Sequence, residues 1–235
     1  LKIDILTLFP EFFNSPFSIS MVKRAVENRI VEINTHQIRN FGIGKRRQVD
    51  DSPYGGGAGL VMKPEVITAA WEAVPKNEKT LTVLMSPRGK VFNQRTAAAL
   101  SENCGHLIIV CGHYEGIDQR FIEISGAVEI SVGDYVLTGG ETAALSVIDA
   151  VTRLLPGVLG NEESSKNESF SIPLLEHDQY TMPRVFRGLK IPKVLATGDH
   201  AKIEAWRIRN SLMLTSERRP DLISSLSPSF WEELK

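Results

Sequence analysis

The chain has 235 residues, of which 42% are hydrophobic and 23% charged, and its 27 Lys+Arg against 28 Asp+Glu leave a formal charge of -1. This composition argues against disorder throughout, and no apolar run approaches the ~20 residues that a membrane-spanning helix needs. It also carries no global signature of nucleic-acid binding, although a total can conceal segregated charge.

The opening LKIDILTLFPEFF lacks the basic start, long apolar centre and small-residue cleavage site of a signal peptide, and reads as a strand over Ile3 to Phe9. A helical pattern over Phe17 to Arg29 and a second strand over Val31 to Ile38 follow. Arg46 and Arg47 then precede Asp50 and Asp51 in a polar loop that runs into the glycine cluster YGGGAG, Tyr54 to Gly59. Apolar residues recur three or four apart over Pro64 to Val74, Gln94 to Asn103 and Glu141 to Leu155, as helices require. Between them, Thr80 to Met85, Leu107 to Cys111 and Ala127 to Ser131 have the β-branched, apolar character of strands. Alternating strands and helices predict an α/β domain on a mostly parallel sheet. The wholly apolar LIIVC suits a central strand covered on both faces.

After Gly160, the stretch Asn161 to Ser171 is polar and aperiodic, which places a linker over 161–172 between a domain at 1–160 and a smaller helical one at 173–235. In the latter, Ala201 to Leu214 is helical, and Pro220 and Pro228 each open a short helix. From Arg184 to Arg219 there are nine Lys/Arg and three acids, a net +6, compatible with phosphate contacts. Two cysteines, Cys104 and Cys111, make no disulfide framework, and a reducing, cytoplasmic setting is expected. No histidine pair has the spacing of a zinc motif, so no structural metal is assigned.

YGGGAGLVMK lacks the GK[ST] ending of a phosphate-binding loop and fails GxGxxG. Taken singly, each glycine cluster is best read as a tight turn. CGHYEGID and VGDYVLTGGE nevertheless follow strands, where α/β folds favour ligands. Close backbone groups with Tyr, Val and Leu there suit an adenosine-bearing ligand.

In order along the chain, FPEFF, VDDSPYGGGAGLVM, LMSPRGKVF, IIVCGHYEGIDQR, SVGDYVLTGGE, TRLLPGVLGNEES and GDHAKIEAWR resemble the bacterial tRNA (guanine-N1)-methyltransferases that modify guanine 37, next to the anticodon. These belong to the trefoil-knot (SPOUT) methyltransferases, so the resemblance implies an α/β fold with a deep knot, against the general rarity of knots. It also implies a small α-helical C-terminal domain that helps grip the anticodon arm of tRNA, S-adenosylmethionine as methyl donor, and homodimers whose active site is shared between chains.

By this resemblance the donor is held by Ser86 and Pro87, by Gly112, Tyr114, Glu115 and Gly116, and by Val132, Gly133, Asp134, Tyr135, Val136, Leu137, Gly139 and Gly140. Val132, Tyr135 and Leu137 would flank the adenine. Methylating guanine N1 requires a base for its proton and a group to stabilise charge on O6. The resemblance puts Arg153 on O6 and Glu168, from the partner chain, on the proton. Many relatives have Asp there, and the extra methylene of Glu168 lengthens its reach by on the order of 1 Å, a scale that matters for catalytic geometry. Glu162 and Glu163 are weaker candidates for the base. Arg46, Arg47 and Arg207 are expected to contact RNA; Arg209, two residues from Arg207, cannot fully share its helix face. Gln179 and Met182 depart from the His and Arg common in relatives. The resemblance further implies magnesium, held by one or two carboxylates near Glu115 or Glu168 and by water. Two other readings remain open: a knotted methyltransferase acting on a ribose 2′-hydroxyl or another base, and an RNA-binding protein with a vestigial pocket.

Overall fold

The structure is a computed structural model that describes residues 1–160 and 168–226. The chain divides into two compact units, Leu1–Gly160 and Asn161–Lys235.

In the first unit the elements run β1 (Lys2–Thr7), α1 (Asn14–Phe17), α2 (Ser20–Glu27), β2 (Glu32–Gln37), β3 (Asp50–Asp51), β4 (Val61–Met62), α3 (Pro64–Glu72), β5 (Thr80–Val91), α4 (Gln94–Asn103), β6 (His106–Cys111), α5 (Gln119–Ser125), β7 (Val128–Ser131) and α6 (Glu141–Thr152). Five of the strands form one sheet in the order β2-β1-β6-β5-β7, with every neighbouring pair parallel. They are the five strands expected from the sequence. β6 is central, and all six of its residues are buried, as its unbroken apolar run demands.

Alternation along the strands sends side chains to both faces. Ile3, Ile5, Val83, Leu107 and Ile109 pack with Ala97 and Leu100 of α4 and with Ala144, Val147 and Ile148 of α6. On the other face Leu6, Leu84, Ile108 and Val110 meet Val66, Ile67 and Ala70 of α3 and Phe121 of α5. Each buried Val, Leu, Ile or Phe side chain contributes about 1.5–3 kcal/mol by leaving water. A polar group interrupts the second face. The buried Asp4 carboxylate accepts hydrogen bonds from His36 and His106, both at 2.6 Å, and pairs with Lys2 at 3.2 Å. Burial alone would raise its pKa, but the bonds from His36, His106 and Lys2 outweigh that and hold it below the ordinary value.

Three local differences from the sequence expectation have physical causes. The helix expected over Phe17 to Arg29 is divided, and α2 stops at Glu27 because Arg29 takes a left-handed φ of 58° and turns the chain into β2. The helix expected to reach Leu155 ends at Thr152, where the i−3 bonds of Leu154 and Leu155 tighten the last turn and leave Arg153 as its cap. The short α5 was not expected; Asp118 caps its start and Gly126, at φ 65°, ends it.

The second unit contains a small antiparallel hairpin, β8 (Val185–Phe186) with β9 (Leu189–Lys190), followed by α7 (His200–Arg218) and α8 (Pro220–Ile223). Asp199 caps α7 through Lys202 N at 3.2 Å, and Pro220 opens α8 as expected. Pro228 lies outside the described residues. The extended segment 174–178 is fixed to α7 by side chains: Leu175 N donates to Thr215 Oγ1 at 2.9 Å, and Asp178 N donates to Asn210 Oδ1 at 2.6 Å. Among the described residues, no helix of the chain is long and apolar enough to cross a membrane.

Candidate functional site

β5, β6 and β7 are neighbours and parallel, with Met85 level with Cys111 and Ile130, so the bulge after Met85 in β5 and the loops after β6 and β7 emerge together, as ligand-binding segments of α/β sheets do. They enclose a cavity of about 270 Å3, near the lower end of the ~300–1,000 Å3 usual for small-molecule sites. Ser86 and Pro87 line it from a bulge in β5, and Gly112, Tyr114, Glu115 and Gly116 from the loop after β6. Val132, Gly133, Tyr135, Val136, Leu137, Gly139 and Gly140 line it from the loop before α6. Asp134 lies in that last loop but does not line the cavity.

The loops are locked to one another at backbone level. Gly140 N donates to Gly112 O at 2.9 Å, and a Cβ at residue 140 would sit 2.7 Å from the Cα of Cys111, closer than any side chain tolerates. Only glycine permits that approach. Tyr114 adopts a left-handed φ of 60°, a conformation costly outside glycine and concentrated at functional sites. Its ring and that of Tyr135 are about half exposed, so both present aromatic surface. The β3–β4 hairpin braces the same loop, with Glu115 N donating to Leu60 O and Met62 N to Gly116 O, both at 2.9 Å. All four glycines of YGGGAG have positive φ, the tight-turn geometry expected of that cluster.

Behind the cavity, Glu141 is 4% exposed and opens α6. It accepts from Thr7 Oγ1 at 2.6 Å and is paired with His113 Nε2 at 2.8 Å, while Phe9 meets the His113 ring edge-on. The N-terminus of a helix suits a buried carboxylate. Burial, with the Glu141 charge nearby, pushes the Cys111 thiol far above its usual range, which disfavours the thiolate while the thiol stays buried.

The cavity is also lined by Arg88, His113, Glu129, Ser131 and Thr138, which are not among the residues expected from the sequence. His113 lies within CGHYEGID, Arg88 within LMSPRGKVF, and Ser131 and Thr138 within SVGDYVLTGGE, so adjacency to the expected residues is their signal. Glu129, half-buried on the short strand β7 and outside every such motif, offers none.

The other singled-out residues lie elsewhere. Arg153 is half-buried at the end of α6, where a cation interacts favourably with the helix dipole. Glu168 belongs to the second unit, half-buried, its backbone carbonyl accepting from Ser171 N and Oγ. Glu162 and Glu163 are outside the described residues. Arg46 and Arg47 are exposed at the tip of a turn closed by the Ile43–Gln48 bridge, and Arg47 donates to Asn40 at 3.1 Å. Neither lines the cavity. Arg207 is exposed on α7, 3.5 Å from Glu204. Met182 is also exposed, and Gln179 bonds Glu176. Among the described residues no group of three or more His, Cys, Asp or Glu is arranged to hold a metal ion.

Residues 1–225 match the family model described as tRNA (Guanine-1)-methyltransferase TrmD. The chain is 55% identical over 223 residues to a protein of Carboxydothermus hydrogenoformans named tRNA (guanine-N(1)-)-methyltransferase, covering 95% of this chain and 87% of that one. Proteins of the same name from Dehalococcoides mccartyi and Staphylococcus carnosus are 52% and 50% identical, over 97% and 95% of this chain and 93% and 91% of theirs. The chain belongs to this family of tRNA (guanine-1)-methyltransferases, and hence to the SPOUT methyltransferases.

Proposed function

We propose that this protein transfers a methyl group from S-adenosylmethionine to N1 of guanine 37 in tRNA, as a cytoplasmic homodimer with the deep trefoil knot of its superfamily. Family membership supports the reaction class. The observation that carries the reading further is the cavity where three loops from parallel strands converge, with aromatic, aliphatic and backbone polar groups side by side. That lining fits an adenosine moiety, whose flat base needs apolar walls and whose edges need closely placed backbone donors and acceptors. When bound, the donor supplies an electrophilic methyl group on a sulfonium.

The residues of the chain do the rest. Val132, Tyr135 and Leu137 flank the adenine, while the 86–87 and 112–116 segments hold the remainder of the donor. Arg153 donates hydrogen bonds to guanine O6 and stabilises the negative charge that accumulates as N1 is deprotonated. Glu168 of one protomer takes the N1 proton in the other protomer's site, freeing the lone pair that accepts the methyl group. Glu115 is an exposed carboxylate lining the cavity, suited to a magnesium ion held through one or two carboxylates and water. Arg46, Arg47 and Arg207 contact the anticodon arm, where exposed cations position rather than specify.

Incubation with labelled donor and tRNA transcripts carrying G or A at position 37 tests the reading. Label is expected on the G37 transcript alone, as N1-methylguanine after nuclease digestion and mass analysis. Equal labelling of both, or methylation of a ribose hydroxyl, overturns it.

A further inference from the structure

The β5–β7 ladder contains an irregularity that forms one wall of the cavity. Met85 and Lys90 both pair with Ile130, so the four residues between them, Ser86 to Gly89, are thrown out of the sheet as a bulge. Such bulges re-aim side chains beside active sites, and this one delivers Ser86, Pro87 and Arg88 to the cavity. A bulge of four residues has lost its ladder bonds and must be fixed by something else.

One side chain of the facing strand does this. Glu129 Oε1 accepts from Ser86 Oγ at 2.8 Å, from Arg88 Nη2 at 2.9 Å and from Arg88 Nε at 3.2 Å, and Ser86 Oγ in turn accepts from Arg88 N at 3.2 Å. Arg88 Nη2 also reaches Gln119 Oε1 at 3.3 Å, tying the bulge to α5. Gly89 completes the seal: a Cβ there would collide with the backbone of Glu129 and Ile130. The Glu129 side chain is 23% exposed and that of Arg88 62%, so the pair is wetted from the outer side and its charge–charge part is modest. The geometric part is not, because three donors from two residues of the bulge converge on one oxygen.

We propose that Glu129 is a positioning residue for the methyl donor. It sets the bulge 86–89 as a rigid cavity wall, acting through Ser86 and Arg88 without touching the transferred group. This rests on the reading above that the cavity holds S-adenosylmethionine. Losing Glu129 then leaves the wall free to relax before the donor binds and taxes donor affinity by the ordering of the bulge. The step on guanine, which depends on other residues, keeps its rate once the donor is bound.

The test measures donor binding by calorimetry together with kcat and donor KM for the full-length protein, its Glu129→Ala, Glu129→Gln and Arg88→Ala variants, and the Glu129→Ala/Arg88→Ala double variant. Hydrogen bonds to a charged group predict that Glu129→Ala weakens donor binding and raises donor KM by about tenfold or more, with kcat within about twofold. Glu129→Gln, which keeps an acceptor for Ser86, should recover part of the loss. Adding Arg88→Ala to Glu129→Ala should cost little more, because partners in one network are not additive. Donor affinity unchanged in Glu129→Ala, or a fall in kcat at constant KM, overturns the proposal. So does a loss in Glu129→Gln as large as in Glu129→Ala, or full additivity in the double variant. Failure of the unmodified protein to bind the donor would instead overturn the assignment of the cavity itself.

Discussion

In Leu1–Gly160 a five-stranded sheet buries apolar side chains on both faces, whereas in the second unit only Leu174 and Leu214, among the described residues, are buried hydrophobics. What secures the second unit instead is polar. The helix face carrying Asn210, Ser211 and Thr215 is buried, and two of those side chains bond the 174–178 backbone. Non-directional burial summed over many residues gives the first unit a rigid frame, on which loops can be held within the tolerance that catalysis needs. A few directional bonds give the second unit a fixed path for one segment with little reserve, and regions of low apolar contact open first. The proposed division of labour follows these materials: a donor cavity on the rigid frame of one unit, and the proposed base Glu168 in the other.

The largest effect that would sharpen this contrast is on turnover. Glu168→Gln should lower kcat by ~10²–10⁴ while leaving donor affinity near its original value, as expected of a general base outside the donor cavity. Unchanged turnover would place the proton acceptor elsewhere. Next, Ile109→Ala in the central strand should cost about 2–5 kcal/mol in denaturant unfolding, because the close-packed sheet cannot collapse onto the space left. A loss under 1 kcal/mol would contradict the rigid frame.

Asp4→Asn should cost about 1.5–3 kcal/mol at neutral pH, the range for hydrogen bonds to a charged group. It should also change the acid limb. Because the carboxyl pKa is depressed in the folded state, its contribution is fully present above the unfolded value near 3.8 and is lost as pH falls through the lower folded value. Between those two values the stability of the Asn variant should therefore fall less steeply with acid than that of the unmodified protein. Smallest is Thr215→Val, which leaves Leu175 N without its acceptor for about 1–2 kcal/mol. That loss should appear as faster hydrogen exchange confined to the second unit; equally faster exchange in the sheet would break the contrast.

What the sequence revealed follows the same division. The five sheet strands and the long helices were legible because burial writes a period into the apolar residues, and LIIVC marked the sheet centre outright. β8 and β9, two residues each, are too short to hold any period. The continuation of β5 to Val91 was hidden because Pro87 and Gly89 read as strand breakers, and in the structure they are what the bulge is made of. Of the cavity, the glycine-rich segments were legible through resemblance. Glu129 was not, since a polar residue facing a cavity and one facing water leave the same trace in a single sequence.

The close passage of Gly140 over Cys111 has a practical consequence. That thiol is sealed beneath the crossing loops, and it meets an alkylating reagent only in moments when the loops part. The other cysteine, Cys104, is half exposed, so replacing it with serine would leave Cys111 as a lone internal clock. Its labelling rate would count how often the crossing opens, and how far a bound donor stops the count.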